Sequence, residues 1–323
     1  MEALMWLGGD HLTVEDIPSP VPRSDETLLK ISLAGICGSD LHAYRGAGGK
    51  RVPPLVLGHE AVGRIEGDNR LFVVFPLLGC HECELCASGL ENLCSDRQLL
   101  GLDRPGTFAQ EVAIPTSSLV PVPAILSADI AALTEPLATA LASFKGVELG
   151  PTSRVAVIGC GSIGLLTIYA AALAGWTVTA TDPIAERRNA AVELGAQTIV
   201  ATADNFEAGT MDLVVDAVGI ETTWSAAVRA VRPGGDVAIV GLGQFAGSVE
   251  VGDLVRRGIT LRGSYAYNRD DFAAALAMLA MAPPSAKWLK RLPLKEGPAA
   301  FASLADQSST GIKILLQPAL GRD

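Results

Sequence analysis

Arg154-Val155-Ala156-Val157-Ile158-Gly159-Cys160-Gly161-Ser162-Ile163-Gly164 is the stretch that decides the fold. Val155 to Ile158 is an unbroken apolar run, mostly β-branched, of the kind found in a strand buried on both faces. It runs straight into G-x-G-x-x-G, and the Ala-rich segment Leu165 to Ala174 that follows has helical composition. Thr177 to Thr181 reads as a second strand, ending in Asp182 near the interval of about 20 residues expected of an acidic ribose partner. A lone G-x-G-x-x-G carries little. Strand, turn, helix and acid in this order predict a βαβ unit that binds a dinucleotide.

Each residue of the turn has a task. Gly159 permits the tight bend, Gly161 lets a pyrophosphate approach the backbone, and Gly164 lets the helix pack on the sheet. Ser162 and Ile163 open the helix, whose free N–H groups and dipole face the phosphates. Asp182 suits both ribose hydroxyls and repels a 2′-phosphate, which favours NAD. Arg187 and Arg188 read as the exposed start of the next helix, yet Arg187 is also a cofactor contact that keeps NADP open.

Downstream, Met211 to Gly219, Gly235 to Gly243 and Ile259 to Ser264 continue the strand pattern, giving a doubly wound parallel sheet over about 138–269. Ligands of such sheets bind beyond the carboxyl ends of the strands. Ala217, Val218, Gly241 and Leu242 are thus candidates to line a nicotinamide pocket, and equally candidates for turn glycines and core aliphatics. After Arg269 one helix (Asp271 to Met281), a Pro-Pro turn and a strand (Ile312 to Leu316) are expected, too little for a further domain. The segment 270–323 is therefore expected to complete the first domain, 1–137.

Upstream, short strands such as Thr13–Ile17, Thr27–Leu33, Ala61–Ile65 and Leu71–Phe75, separated by Gly and Pro, predict a small barrel. Ser127 to Phe144 reads as a helix that Pro136 bends or divides. Within the barrel, Cys37-Gly38-Ser39-Asp40-Leu41-His42 and Gly58-His59-Glu60 set a thiolate and an imidazole on separate turns, a donor mix of catalytic zinc sites. An acid near each (Asp40, Glu60) suits a supporting shell. Between 79 and 95, Cys80, Cys83, Cys86 and Cys94 form C-x2-C-x2-C-x7-C. Four thiolates at this spacing wrap one tetrahedral ion, zinc or an iron–sulfur cluster, with no position left for substrate. Disulfide pairing is the competing reading.

Twenty-five Lys+Arg against 35 Asp+Glu give a net charge of −10, which argues against nucleic acid or an anionic membrane as partner. Met1 to Trp6 lacks the basic and apolar regions of a signal peptide, and no apolar run reaches the roughly 18–20 residues of a membrane span. A cytoplasmic, soluble protein is expected.

These motifs together, with Glu135-Pro136-Leu137-Ala138, resemble the zinc-dependent medium-chain dehydrogenases, of the branch that holds sorbitol, threonine and butanediol dehydrogenases. The resemblance spans nearly the whole chain. It implies a GroES-like β-barrel catalytic domain beside a Rossmann domain, two Zn2+ per chain (one catalytic, one structural), and a homodimer or homotetramer. It implies that Cys37 and His59 bind the catalytic zinc with Glu60 or Glu135, which the sequence does not separate. Asp40 would orient His59, Ser39 would take the substrate hydroxyl proton, and His42 would pass it to solvent. The implied reaction oxidises a secondary alcohol or polyol to a ketone with hydride transfer to NAD. A threonine-type amino alcohol, an NADP-dependent enzyme and a non-catalytic zinc and nucleotide binder are the alternatives. Tyr44, Leu102, Phe108 and Tyr265 are candidate pocket side chains. Between Glu60 and Cys80 the chain is shorter than the family pattern, with Asp68-Asn69-Arg70-Leu71 in place of a longer hairpin.

Overall fold

In the computed structural model, which describes residues 1–46, 49–306 and 312–319, the chain packs into two compact units. One is Pro136–Tyr267. Its six parallel strands lie in the order Thr198–Val200, Thr177–Thr181, Arg154–Ile158, Met211–Asp216, Val231–Ile239, Thr260–Gly263. The chain starts mid-sheet, builds one side, then returns to build the other, which is the doubly wound order. Register aligns the carboxyl ends: Ile158 opposes Thr181 and Asp216, and Ile239 opposes Asp216 and Gly263. Gly159, Asp182 and Ala217 are thereby brought to one edge of the sheet. Val155, Ala156 and Val157 are wholly buried, each valine worth about 1.5–3 kcal/mol. Helix Ser162–Leu173 is buried from Gly164 through Ala171, and so shows no polar stripe.

The other unit is Met1–Glu135 with Asn268–Asp323. Its spine is the ten-residue strand Glu26–Gly35, paired antiparallel with Glu60–Ile65, Glu111–Pro115 and Lys313–Gln317. Gly35 opposes Glu60 on one side and Leu315 on the other, so the strand ends bearing Cys37, Glu60 and Lys313 converge. Leu4, Leu29, Ile31, Phe108, Phe301 and Ile314 belong to the apolar core of this unit. The segment from Glu60 to Val74 is a tight hairpin, its turn held by Arg70 on Asp68 (2.7 Å).

Three expectations change. The helix after Ser127 breaks at Ala132–Leu133, into Ala128–Ala131 and Thr134–Ala142. Pro136 lies in the first turn of the second helix, where its missing N–H costs no intrahelical bond. Beyond Met281 the chain adds a strand, Leu289–Pro293, and a helix, Gly297–Ala305. Among the described residues the strand pairs only with Lys313–Gln317, a distant segment, and the helix carries Phe301 into the barrel core. Val231–Ile239 ends before Gly241 because the N–H groups of Val240 and Gly241 both turn to the Asp216 carbonyl, 2.9 Å each. No helix among the described residues is long and apolar enough to cross a membrane.

Candidate functional site

Cys37 ends the loop after the spine strand and caps helix Gly38–Tyr44, which carries Ser39, Asp40 and His42. His59 immediately precedes the facing strand, which Glu60 begins. The structure brings Cys37 Sγ, a ring nitrogen of His59 and a carboxylate oxygen of Glu60 within 4.8 Å of one another. A soft thiolate, an imidazole and a hard carboxylate at that separation fit a zinc ion. Glu135, in the first turn of helix Thr134–Ala142, stands outside this group. Ser39 Oγ lies 3.5 Å from His59 Nε2, which sets the hydroxyl at the same site. Desolvation and then the Glu60 carboxylate push the Cys37 thiol up to about 11.

Asp40 is fully buried, but its Oδ1 is 3.7 Å from His59 Nδ1, too far for a hydrogen bond, and 3.8 Å from Arg51. Its other oxygen accepts the Cys37 N–H at 3.1 Å. Asp40 therefore fixes the cysteine turn as well as facing the histidine. His42 is partly buried, and burial followed by the charges of Arg45 and Arg51 lowers its pKa. Phe108 belongs to the core rather than a pocket wall: it is fully buried, with its ring 5.9 Å from Phe301. Tyr44 packs on the same Phe301 ring, Leu102 is half-buried, and Tyr265 is exposed in the other unit.

Sequence reasoning missed Lys313. This lysine is 1% exposed on strand Lys313–Gln317, donates to the Ile36 carbonyl at 2.9 Å, and forms an ion pair with Glu60. Burial works against its charge, but Glu60, Cys37 and Glu135 outweigh that and raise its pKa. A lone lysine inside the apolar run Ile312 to Leu316 was the available signal.

Cys80, Cys83, Cys86 and Cys94 also place their sulfurs within 4.8 Å of one another. Cys80 and Cys86 sulfurs are 3.9 Å apart and the structure pairs none of the six cysteines in a disulfide, an arrangement that suits one shared ion. Backbone N–H groups of Glu82 and Cys83 lower the Cys80 thiol to about 7. The lobe is tied to the chain by Glu91, which accepts the Arg269 N–H at 3.0 Å, and by Asn268, which donates to the Gly89 carbonyl at 2.9 Å.

In the parallel-sheet unit, Gly159 has φ +87°, and a Cβ there would meet Val218 Cγ2 at 2.5 Å. A Cβ on Gly164 would collide with the Gly159 carbonyl. Gly161 caps helix Ser162–Leu173 without a side-chain bond, and a Cβ at Gly161 would point into open space. The helix thus keeps its first N–H groups for an anion, as a pyrophosphate cradle requires. Asp182 is 3% exposed; its oxygens accept the N–H groups of Cys160 (2.8 Å) and Ile184 (2.9 Å), and Arg187 is 3.6 Å away. Asp216, also missed from sequence, is fully buried and accepts from Val218 N–H, Gly219 N–H and the Thr223 hydroxyl. Burial raises its pKa, against those three hydrogen bonds. Its carboxylate shapes the loop of Ala217 and Val218, and its carbonyl holds Gly241, beside Leu242.

Comparison with known proteins supplies the family. The alcohol dehydrogenase GroES-like domain family matches residues 23–124, and the zinc-binding dehydrogenase family matches 162–281. The chain is 31% identical to L-galactonate-5-dehydrogenase of Escherichia coli, over 81% of this chain and 82% of that protein. It is 30% identical to (R,R)-butanediol dehydrogenase of Bacillus subtilis, over 98% and 100%. A zinc-binding dehydrogenase from Sinorhizobium meliloti, bound to NADP, superposes with a TM-score of 0.90 at 28% identity, over 98% of this chain and 99% of that one. The chain is an oxidoreductase that converts the CH–OH group of an alcohol or polyol to a ketone. It belongs to the zinc-dependent medium-chain dehydrogenases.

Proposed function

We propose that Cys37 and His59, with Glu60 or Glu135, hold a catalytic zinc, and that Cys80, Cys83, Cys86 and Cys94 hold a structural one. The unit Met1–Glu135 with Asn268–Asp323 is then the catalytic domain, and Pro136–Tyr267 the NAD-binding domain. The substrate is a secondary alcohol or polyol. The observation that carries this is the approach of Cys37, His59 and Glu60 ligand atoms to within 4.8 Å, with Ser39 beside them.

Bound zinc would supply Lewis acidity that lowers the pKa of a substrate hydroxyl, and the nicotinamide would supply the hydride acceptor. Ser39 receives the hydroxyl proton; His42, kept neutral by burial and by Arg45 and Arg51, is the base that releases it to solvent. The substrate carbon loses a hydride and its oxygen a proton, so an alcohol leaves as a ketone. Gly161, Ser162 and Ile163 offer backbone to the pyrophosphate, Asp182 and Arg187 stand at the ribose, and Ala217, Val218, Gly241 and Leu242 wall the nicotinamide. Asp182 supports NAD over NADP. Assembly as a homodimer or homotetramer is read by light scattering.

The test is NADH formation from NAD across polyols, diols, simple secondary alcohols and L-threonine, with metal analysis of the same preparation. Two zinc ions per chain and turnover of one alcohol class, with Cys37→Ser losing one zinc and at least about a thousandfold in rate, is the expected result. Turnover of L-threonine alone would move the substrate to amino alcohols. A single zinc in the wild type with no turnover would sink the assignment.

A further inference from the structure

Glu60 is the carboxylate that stands with Cys37 and His59 at the proposed catalytic site, and Lys313 is the buried cation paired with it. Lys313 is held in place independently of any metal. Its Nζ donates to the Ile36 carbonyl at 2.9 Å, one residue from Cys37, and its strand is locked to the spine through Leu315 opposite Gly35. Gly35 has no side chain where one would strike both Lys313 Cε, at 2.9 Å, and the Glu60 carboxylate. The fold thus clears a channel through which a buried ammonium reaches a candidate ligand, and it makes the ion pair with Glu60 there.

A buried cation this close to a metal weakens metal binding by direct repulsion, and unpaired buried charge is expensive, so such a lysine needs a reason. We propose that Lys313 is a positioning residue that retains Glu60 as its own partner, so that one coordination position of the catalytic metal stays open for substrate. A catalytic zinc site requires that opening, whereas four protein ligands close it. Without Lys313, Cys37, His59, Glu60 and Glu135 would be free to bind together. This rests on the reading that Cys37 and His59 hold the catalytic metal.

The test uses the full chain with cobalt in the catalytic site and zinc in the four-cysteine lobe, comparing wild type, Lys313→Met, Glu60→Gln and the double variant. Imidazole, a small probe of an open position, is expected to shift the visible cobalt bands of the wild type and not those of Lys313→Met. Release of the catalytic metal to a chelator should slow by about 10- to 100-fold in Lys313→Met, because a repelling charge is gone and a ligand is gained. Glu60→Gln in the Lys313→Met background should restore the imidazole response and bring the release rate back toward wild type. Lys313→Gln, which keeps a donor for the Ile36 carbonyl, should show the same closure and covers a methionine variant that fails to fold. Unchanged bands and release in both lysine variants would overturn the proposal, as would faster release. If wild type binds no metal that Cys37→Ser removes, the underlying site assignment fails instead, and the proposal falls with it.

Discussion

At the scale of the residue, His42 makes a sharp prediction. Its pKa is lowered by burial and by the cations Arg45 and Arg51, so it stays neutral, and able to take a proton, to below its ordinary value of about 6.5. In the proposed relay, alcohol oxidation needs that neutral form. Arg45→Ala removes one cation, raises the His42 pKa, and should move the acidic limb of kcat/KM toward higher pH, so that rate falls near pH 6 and recovers above pH 8. A profile superimposable on wild type would take His42 out of the relay. Most candidate-site residues could be picked out one by one, because cysteine and histidine are uncommon types and the four lobe cysteines lie at ligand spacing. Lys313 and Asp216 could not, since a single charged residue in an apolar strand does not say which distant group it meets.

At the scale of the element, the glycine turn and the cysteine lobe are separable. Gly159→Ala places a side chain at φ +87° and against Val218 Cγ2 at 2.5 Å. Such strain costs about 1–3 kcal/mol, so NADH should bind about 10- to 100-fold more weakly while zinc content holds at the wild-type level. Fluorescence titration with NADH reads this. Cys94→Ser should do the reverse. It is expected to lose one zinc, lower Tm and leave NADH affinity within about twofold, because the lobe is tied to Asn268 and Arg269 and belongs to a different unit from the glycine turn. Elements of strong local pattern were read well: Arg154–Ile158 and Ser162–Leu173 match the apolar run and the turn that announced them. Leu289–Pro293 and Gly297–Ala305 escaped, because their justification is a partner strand and a core far away in sequence.

At the scale of the whole molecule, ligands should stabilise the fold by linkage. NADH at 100 times its Kd is expected to add about 2.7 kcal/mol, seen as a rise in apparent Tm, and NADPH at the same concentration should add less. Asp182 underlies that order: its buried carboxylate disfavours a 2′-phosphate, while Arg187 at 3.6 Å offsets part of its charge. Equal stabilisation by both cofactors would show that Arg187 governs the ribose site.

The sequence by itself determined the doubly wound sheet, the glycine turn and two groups of candidate metal ligands, which depend on local periodicity or on the spacing of rare residues that a linear chain displays. The reaction class came from the family resemblance that those motifs carry together. Only the tertiary structure decided that Glu60, and not Glu135, joins Cys37 and His59 within 4.8 Å. Only it revealed that Lys313 reaches Glu60 past Gly35, that Asp40 bonds the Cys37 N–H, and that Phe108 fills the core. Those are facts of strand register and close packing between residues far apart in the chain, and register is set when the strands pair.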